Sequence, residues 1–182
     1  MMQLPGMLPK IVVNEVPAGG KLTLLSRNTA ETEAFGQLLA GYLQKDDVLT
    51  LDGDLGAGKT ALTRGIAAGL KCQVPVSSPT FTLLIEHPAT PSGLALYHFD
   101  VYRLNGSDDF RGIGLDEYFN QGGVCVIEWG HLIADILPAR TIEIRLLQVH
   151  PEQPDLRRIE LSWPENQGRL KDLINLLVKG EG

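Results

Sequence analysis

The spacing of apolar and polar positions changes several times along the chain, and each change marks an element. Leu22 to Leu25 reads as a short strand, and Asn28 and Thr29 follow it as helix-cap candidates. Phe35, Leu38, Leu39, Tyr42 and Leu43 then recur at the spacing of one helix face, which predicts a helix ending by Lys45. Val48 to Leu51 is a short buried strand, the glycine-rich segment from Gly53 to Lys59 is a loop, and Thr60 to Leu70 predicts a second helix.

Beyond Ser77-Ser78-Pro79-Thr80, the runs Phe81 to Glu86 and Leu94 to Phe99 predict two strands joined by a proline-containing loop and paired as a hairpin. Ser107 to Phe119 carries a short helix. Val124 to Ile127 is a continuous apolar run of the kind buried on both faces, and a short helix near Leu132 ends by Pro138. Thr141 to Val149 and Leu156 to Trp163 predict a second hairpin, closed by a helix from Gln167 to Val178. The fold class expected is α/β: a mixed, mainly parallel sheet flanked by helices, with antiparallel hairpins. Residues 1–20 hold three Pro and three Gly and read as a flexible tail, which leaves residues 21–182 as a single domain.

Composition adds limits. A chain of 182 residues, 43% of them hydrophobic, can bury a sizeable core in one domain. Sixteen Lys and Arg against twenty-two Asp and Glu give a net charge of −6. A chain that binds nucleic acid by itself ordinarily carries a basic surplus to release phosphate counterions, so a nucleic acid partner is expected to be held by another subunit. Cys72 and Cys125 show no CxxC spacing, and Cys125 lies in an apolar run where a buried thiol is expected. No apolar stretch approaches the roughly 18 residues of a membrane span, and the first ten residues lack the charged start and long apolar core of a signal peptide. A cytoplasmic chain without a membrane partner is expected.

The chemistry is concentrated in Gly53-Asp-Leu-Gly-Ala-Gly58-Lys59-Thr60, a full match to GxxxxGK[ST]. A chain of this length meets that pattern by chance roughly once in a hundred to two hundred sequences. Here it also follows a predicted strand and opens a predicted helix, the context that makes it a phosphate cradle. Gly53, Gly56 and Gly58 let backbone N–H groups converge on phosphates, the helix N-terminus adds its positive end, Lys59 meets the β and γ oxygens, and Thr60 ligates Mg²⁺. The expected ligand is a nucleoside triphosphate with magnesium, in a fold of the P-loop NTPase kind.

Magnesium and an attacking water call for further oxygen ligands or a base, and acids at strand ends beside the loop are the candidates. Glu128 directly follows the strand Val124 to Ile127, and Asp100 follows Leu94 to Phe99. Either alone reads equally well as an ordinary turn acid; their convergence with the loop on one sheet edge favours a site. If Leu94 to Phe99 runs parallel to the other two strands, its hairpin partner begins at the same edge and brings Thr80 there. A hydroxyl at that place can sense the γ phosphate as a switch-loop threonine does, although SSPT also reads as a simple turn. His98 reads as a strand histidine, since Mg²⁺ prefers oxygen, and the histidines at 87, 131 and 150 have no metal-ligand spacing.

The segments GDLGAGKT, SSPTFTLLIEH, YHFDVYRL, GLDEYF and VIEWG stand in the order and at about the spacing of the bacterial TsaE proteins, formerly called YjeE. The resemblance spans residues 22 to 164. It implies an ATPase of the pathway that makes N6-threonylcarbamoyladenosine next to the anticodon of tRNA. In that pathway a TsaB and TsaD pair transfers the threonylcarbamoyl group, and the resemblance implies that this protein docks on the pair and resets it by ATP hydrolysis, meeting tRNA only through it. It further implies ATP held by Gly56, Ala57, Gly58, Lys59, Thr60 and Ala61, magnesium on Thr60 and Glu128, and a function for Asp100 in hydrolysis. Nucleotide contacts carry over to Thr29 at the start of the first helix and to Arg157 in the last hairpin, with the adjacent Arg158 an alternative for the second. Ala61 stands where the family usually has another hydroxyl, which removes a possible phosphate contact and leaves the backbone N–H.

Other function classes share the phosphate loop. A GTPase ordinarily has an NKxD segment to read guanine, and the chain has no Asn-Lys pair. A small-molecule kinase needs a mobile arginine-bearing lid, for which Arg103 and Arg111 are the suggestive residues. An interaction protein that binds nucleotide without turnover is the third class, separated from a slow ATPase only by a rate.

Overall fold

The computed structural model describes residues 10–11, 21–72, 76–79, 81–150, 152–165 and 167–179. The strands are β1 (Lys10–Ile11), β2 (Lys21–Ser26), β3 (Val48–Asp52), β4 (Leu84–His87), β5 (Leu96–Asp100), β6 (Val124–Glu128), β7 (Ile142–His150) and β8 (Gln153–Ser162). The helices are α1 (Thr29–Ala40), α2 (Lys59–Gly69), α3 (Ser107–Gly112) and α4 (Gln167–Lys179), with two 3-10 helices at Leu115–Asn120 and Gly130–Ile136. Of the segment read as a tail, residues 10–11 pair with Leu25 and Leu24 of β2, and the rest lies outside the described residues.

Among the described residues one sheet collects these eight strands in the order β1-β2-β8-β7-β3-β6-β5-β4. Its centre, β7-β3-β6-β5, is parallel. Hairpins extend it antiparallel on both sides, β4 beyond β5 and β8 with β2 and β1 beyond β7. Every residue of β5 and β6 is buried, as the continuous apolar run Val124 to Ile127 requires. Alternate side chains go to opposite layers. Leu49, Leu51, Leu96, Val124 and Val126 join the core under α1, α2 and α4, while Val48, Tyr97, Phe99, Cys125 and Ile127 join a second core with Phe110, Phe119 and Ile133. In β7 the alternation is one-sided: Ile142, Ile144 and Leu146 are buried while Glu143 and Arg145 are exposed, because the second layer stops short of the antiparallel half.

Local chemistry fixes the ends of α1. Asn28 Oδ1 accepts the Glu31 N–H at 2.9 Å, and the Glu31 carboxylate reaches back to the Arg27 N–H at 2.8 Å, a reciprocal cap at the helix start. From that start α1 runs beside α2 in the same direction, backbone against backbone. A Cβ on Gly36 would lie 2.5 Å from Leu62 O, one on Gly65 2.0 Å from Glu33 O, and one on Gly69 2.6 Å from Gln37 O. Helix α4 buries Leu170, Leu173 and Leu177, and Arg169 ties it down through both oxygens of Asp47, at 2.6 and 3.1 Å, and the face of Trp163.

Two expectations need correction. The strand expected from Phe81 begins only at Leu84: the N–H groups of Thr82 and Leu83 both bond Pro79 O at 2.9 Å, Leu83 takes φ 65°, and Phe81 is left 84% exposed. That turn uses up the extended geometry a strand would need. The single helix expected between Ser107 and Phe119 is two, α3 and a 3-10 helix, interrupted where Gly114 adopts φ 77°.

Gly65→Ala is expected to destabilise the fold by about 1 to 3 kcal/mol through overpacking, despite alanine's better helix propensity, and so to lower the urea midpoint. Gly168→Ala, in α4 with nothing within 4 Å of the added carbon, should instead be neutral or stabilising.

His87 is 1% exposed and neither ring nitrogen has a partner; burial, and then His98, push its pKa below the ordinary 6.5. The unfolded chain therefore takes up a proton that the folded chain refuses. This stabilising contribution is present above about pH 6.5 and is lost as pH falls through the folded pKa. Stability of His87→Leu, followed by denaturant titration from pH 7.5 to 5, should decline less with acid than that of the wild type.

Candidate functional site

The loop between β3 and α2 turns on glycines where the backbone demands them. Gly53 takes φ 148° with Leu146 O only 2.3 Å from where a Cβ would stand, and Gly58 takes φ 104° immediately before the helix. The turn is closed by the Ala57 N–H on Asp54 O at 3.0 Å. Lys59 is 5% exposed; its Nζ donates to Gly53 O at 2.7 Å and Asp54 O at 3.0 Å and lies 4.0 Å from the centroid of the Trp129 ring. Burial draws the Lys59 pKa below its ordinary value, while Glu128, Asp100, Asp52 and Asp54 pull against that shift.

Parallel register brings the acids to this loop. Glu128 pairs with Leu51 on one side and with Asp100 on the other, so both carboxylates end their strands at the edge where the loop emerges. Both side chains are buried. The Thr60 hydroxyl donates to Glu128 Oε1 at 3.0 Å, and Asp100 Oδ1 accepts the Tyr102 N–H at 3.1 Å. A hydroxyl and a carboxylate in contact, with a second carboxylate beside them, form an all-oxygen donor set that fits Mg²⁺. Among the described residues no group of three or more His, Cys, Asp or Glu forms a metal cage by itself. Magnesium in phosphate sites ordinarily takes only one or two protein ligands, the phosphates supplying the rest.

These groups face a cleft of about 410 Å³. It is lined by Thr29 at the start of α1, by the loop and first helical turn from Gly56 through Ala57, Gly58, Lys59 and Thr60 to Ala61, and by Asp100 and Glu128. Gly53 stands behind the loop and meets the site through its carbonyl on Lys59. Arg157 grips the loop from β8: Nε donates to Ala57 O at 3.0 Å and Nη2 to Gly56 O at 3.2 Å. Its neighbour Arg158 points to the other side of the strand and pairs with Glu160 at 2.9 Å. Thr80 lies outside the described residues; Ser78, close to it in sequence, lines the cleft.

The family described as "Threonylcarbamoyl adenosine biosynthesis protein TsaE" matches residues 26–158. The chain belongs to the TsaE family. A TsaE of Bacillus subtilis, named as a tRNA threonylcarbamoyladenosine biosynthesis protein, is 44% identical over 71% of this chain and 79% of its own length. TsaE proteins of Treponema pallidum and Haemophilus influenzae are 43% and 39% identical, over 67% and 72% of this chain and 88% and 80% of theirs. The crystal structure of Bacillus subtilis YdiB superposes with a TM-score of 0.70 at 36% identity, covering 91% of this chain and 99% of that one. The span matched to TsaE contains all the candidate residues, from Thr29 to Arg157.

Sequence reasoning gave no role to Trp129, which borders the cleft. Trp129 holds φ 66°, packs its ring 5.0 Å from that of Tyr102, and forms the platform for Lys59. Its position directly after Glu128, in the segment VIEWG, was the available signal. Arg64, in α2 one helical turn beyond Thr60, is about half exposed and donates to Glu33 at 2.8 Å, yet also borders the cleft. Arg103, a candidate lid residue, lies over the Phe81 ring at 4.7 Å.

Proposed function

We propose that the protein is a slow ATPase that binds ATP with magnesium and supports a TsaB and TsaD pair in forming N6-threonylcarbamoyladenosine next to the anticodon of tRNA. The observation that carries this reading is the contact between Thr60 and Glu128 at the mouth of the glycine-rich loop, with Asp100 in register beside it. The loop's N–H groups and the α2 N-terminus bind the triphosphate, and Lys59 exchanges the carbonyls of Gly53 and Asp54 for phosphate oxygens. Thr60 and Glu128 would hold magnesium, which would supply charge neutralisation to the phosphates. Asp100 orients the attacking water or stands behind the metal ligands, and Thr29 and Arg157 complete the nucleotide contacts, Arg157 by fixing the loop carbonyls. The absence of an NKxD segment favours ATP over GTP.

Arginine at a phosphoryl-transfer site contributes about 10³ to 10⁵ in rate. Here Arg64 is engaged with Glu33 and Arg103 with Phe81, which supports a low rate for the isolated chain. The net charge of −6 supports tRNA contact through the partners. In that setting Thr80, in the segment leading to β4, is the hydroxyl that couples γ-phosphate loss to docking.

Lys59→Ala should abolish tight nucleotide binding with or without Mg²⁺, since the ammonium meets phosphate directly. Thr60→Ala and Glu128→Ala should weaken mainly the magnesium-dependent part. Calorimetry in Mg²⁺ and in EDTA checks this, and equal losses for all three in EDTA contradict the roles.

Phosphate release from labelled ATP is expected to be slow for the protein alone and to rise when purified TsaB and TsaD are added. Asp100→Ala should remove the stimulated rate. Label appearing on a metabolite would instead identify a kinase, and a pair that binds without changing the rate would identify a nucleotide-dependent interaction protein.

A further inference from the structure

His98 is completely buried in the middle of β5, in register with Val126 on β6 and Ile85 on β4. From there its ring reaches diagonally toward the carboxyl end of the next strand, where Nε2 lies 2.9 Å from Glu128 Oε1. A carboxylate oxygen accepts, so Nε2 carries the hydrogen. Nδ1 is buried without a partner, so Nε2 is the nitrogen through which the ring makes its hydrogen bond.

The same oxygen, Oε1, also receives the Thr60 hydroxyl at 3.0 Å. A glutamate carboxylate otherwise turns freely about its last torsion, which has broad, roughly twofold preferences. Two donors arriving at one oxygen from different elements, α2 and β5, remove that freedom and leave Oε2 as the oxygen to be offered to a cation. Thr60 is itself a proposed metal ligand. Once its hydroxyl oxygen turns to the ion, the His98 N–H is the donor that still holds the carboxylate.

We propose that His98 is a positioning residue: its Nε2–H fixes the Glu128 carboxylate so that Oε2 faces the magnesium ion of the bound nucleotide. The assignment rests on the magnesium role given to Glu128 above. It deepens that reading by placing the metal site's rigidity in a buried strand residue that touches neither nucleotide nor metal. Outer hydrogen bonds to metal ligands are commonly worth 10- to 100-fold in metal affinity, and this donor belongs to that class.

The test is calorimetric titration with a non-hydrolysable ATP analogue, in Mg²⁺ and in EDTA, on the full chain. His98→Leu is expected to reduce the magnesium-dependent gain in affinity by about 10- to 100-fold and to leave binding in EDTA within about threefold of wild type. His98→Gln, whose amide N–H reaches the Nε2 position, should recover most of the gain, and His98→Asn, whose amide matches Nδ1, should not. In a Glu128→Gln background His98→Leu should have no further effect. An unchanged gain in His98→Leu, equal losses with and without Mg²⁺, or an undiminished effect in the Glu128→Gln background each overturns the assignment. Should His98→Leu fail to fold, the Gln and Asn variants decide, and indistinguishable gains from the two overturn it. A wild type with no magnesium-dependent gain overturns the magnesium reading itself; a normal wild type with an indifferent His98→Leu overturns the assignment alone.

Discussion

Parallel pairing of β3, β6 and β5 is the constraint on which the site depends. Strands that run side by side in one direction deliver their carboxyl ends to one edge, and here they deliver the glycine-rich loop, Glu128 and Asp100 within two strand spacings. The price of such a centre is that both faces must be covered, which accounts for the buried runs of β5 and β6 and for the two apolar layers. That second layer ends at β7, where the parallel centre passes into the antiparallel hairpin with β8, and the half-open face of β7 shows it.

Around the cleft the chain resolves an electrostatic conflict. It buries an ammonium and two carboxylates close together, an arrangement that is tolerated only when each charge is paired or hydrogen-bonded. Lys59 has loop carbonyls and an indole face, Glu128 has a hydroxyl and an imidazole, and Asp100 has a backbone N–H. The opposite charges are near enough to influence one another, since four carboxylates counter the downward shift that burial imposes on Lys59.

Much of this was legible along the chain because the signals are local. The loop announces itself by glycines at fixed offsets from Lys59, the α1 start by the cap candidates Asn28 and Thr29, and the central strand by an uninterrupted apolar run. Phe81 to Leu83 misled because aromatic and aliphatic residues suit a strand, whereas the two N–H groups folded back on Pro79 O obey a turn that composition does not reveal. His98 and Trp129 were opaque for another reason. Their partners, Glu128 and Lys59, lie 30 and 70 positions away in sequence, and only the register of the sheet and the path of the loop bring them together. Arg157, one hundred residues from Ala57, was reachable only through family likeness.

The contact between α1 and α2 limits which sequences can carry this fold. Where most helix pairs meet through side chains that trade volume with one another, Gly36, Gly65 and Gly69 press directly on the opposite main chain. A peptide carbonyl has no rotamer with which to make room, so a larger residue at any of the three finds no compensating partner, and the usual route of paired small and large exchanges is closed. Sequence drift is thereby diverted to the outer surfaces of the two helices. Thr29 and Lys59, which begin them, keep a fixed mutual distance however much those surfaces change.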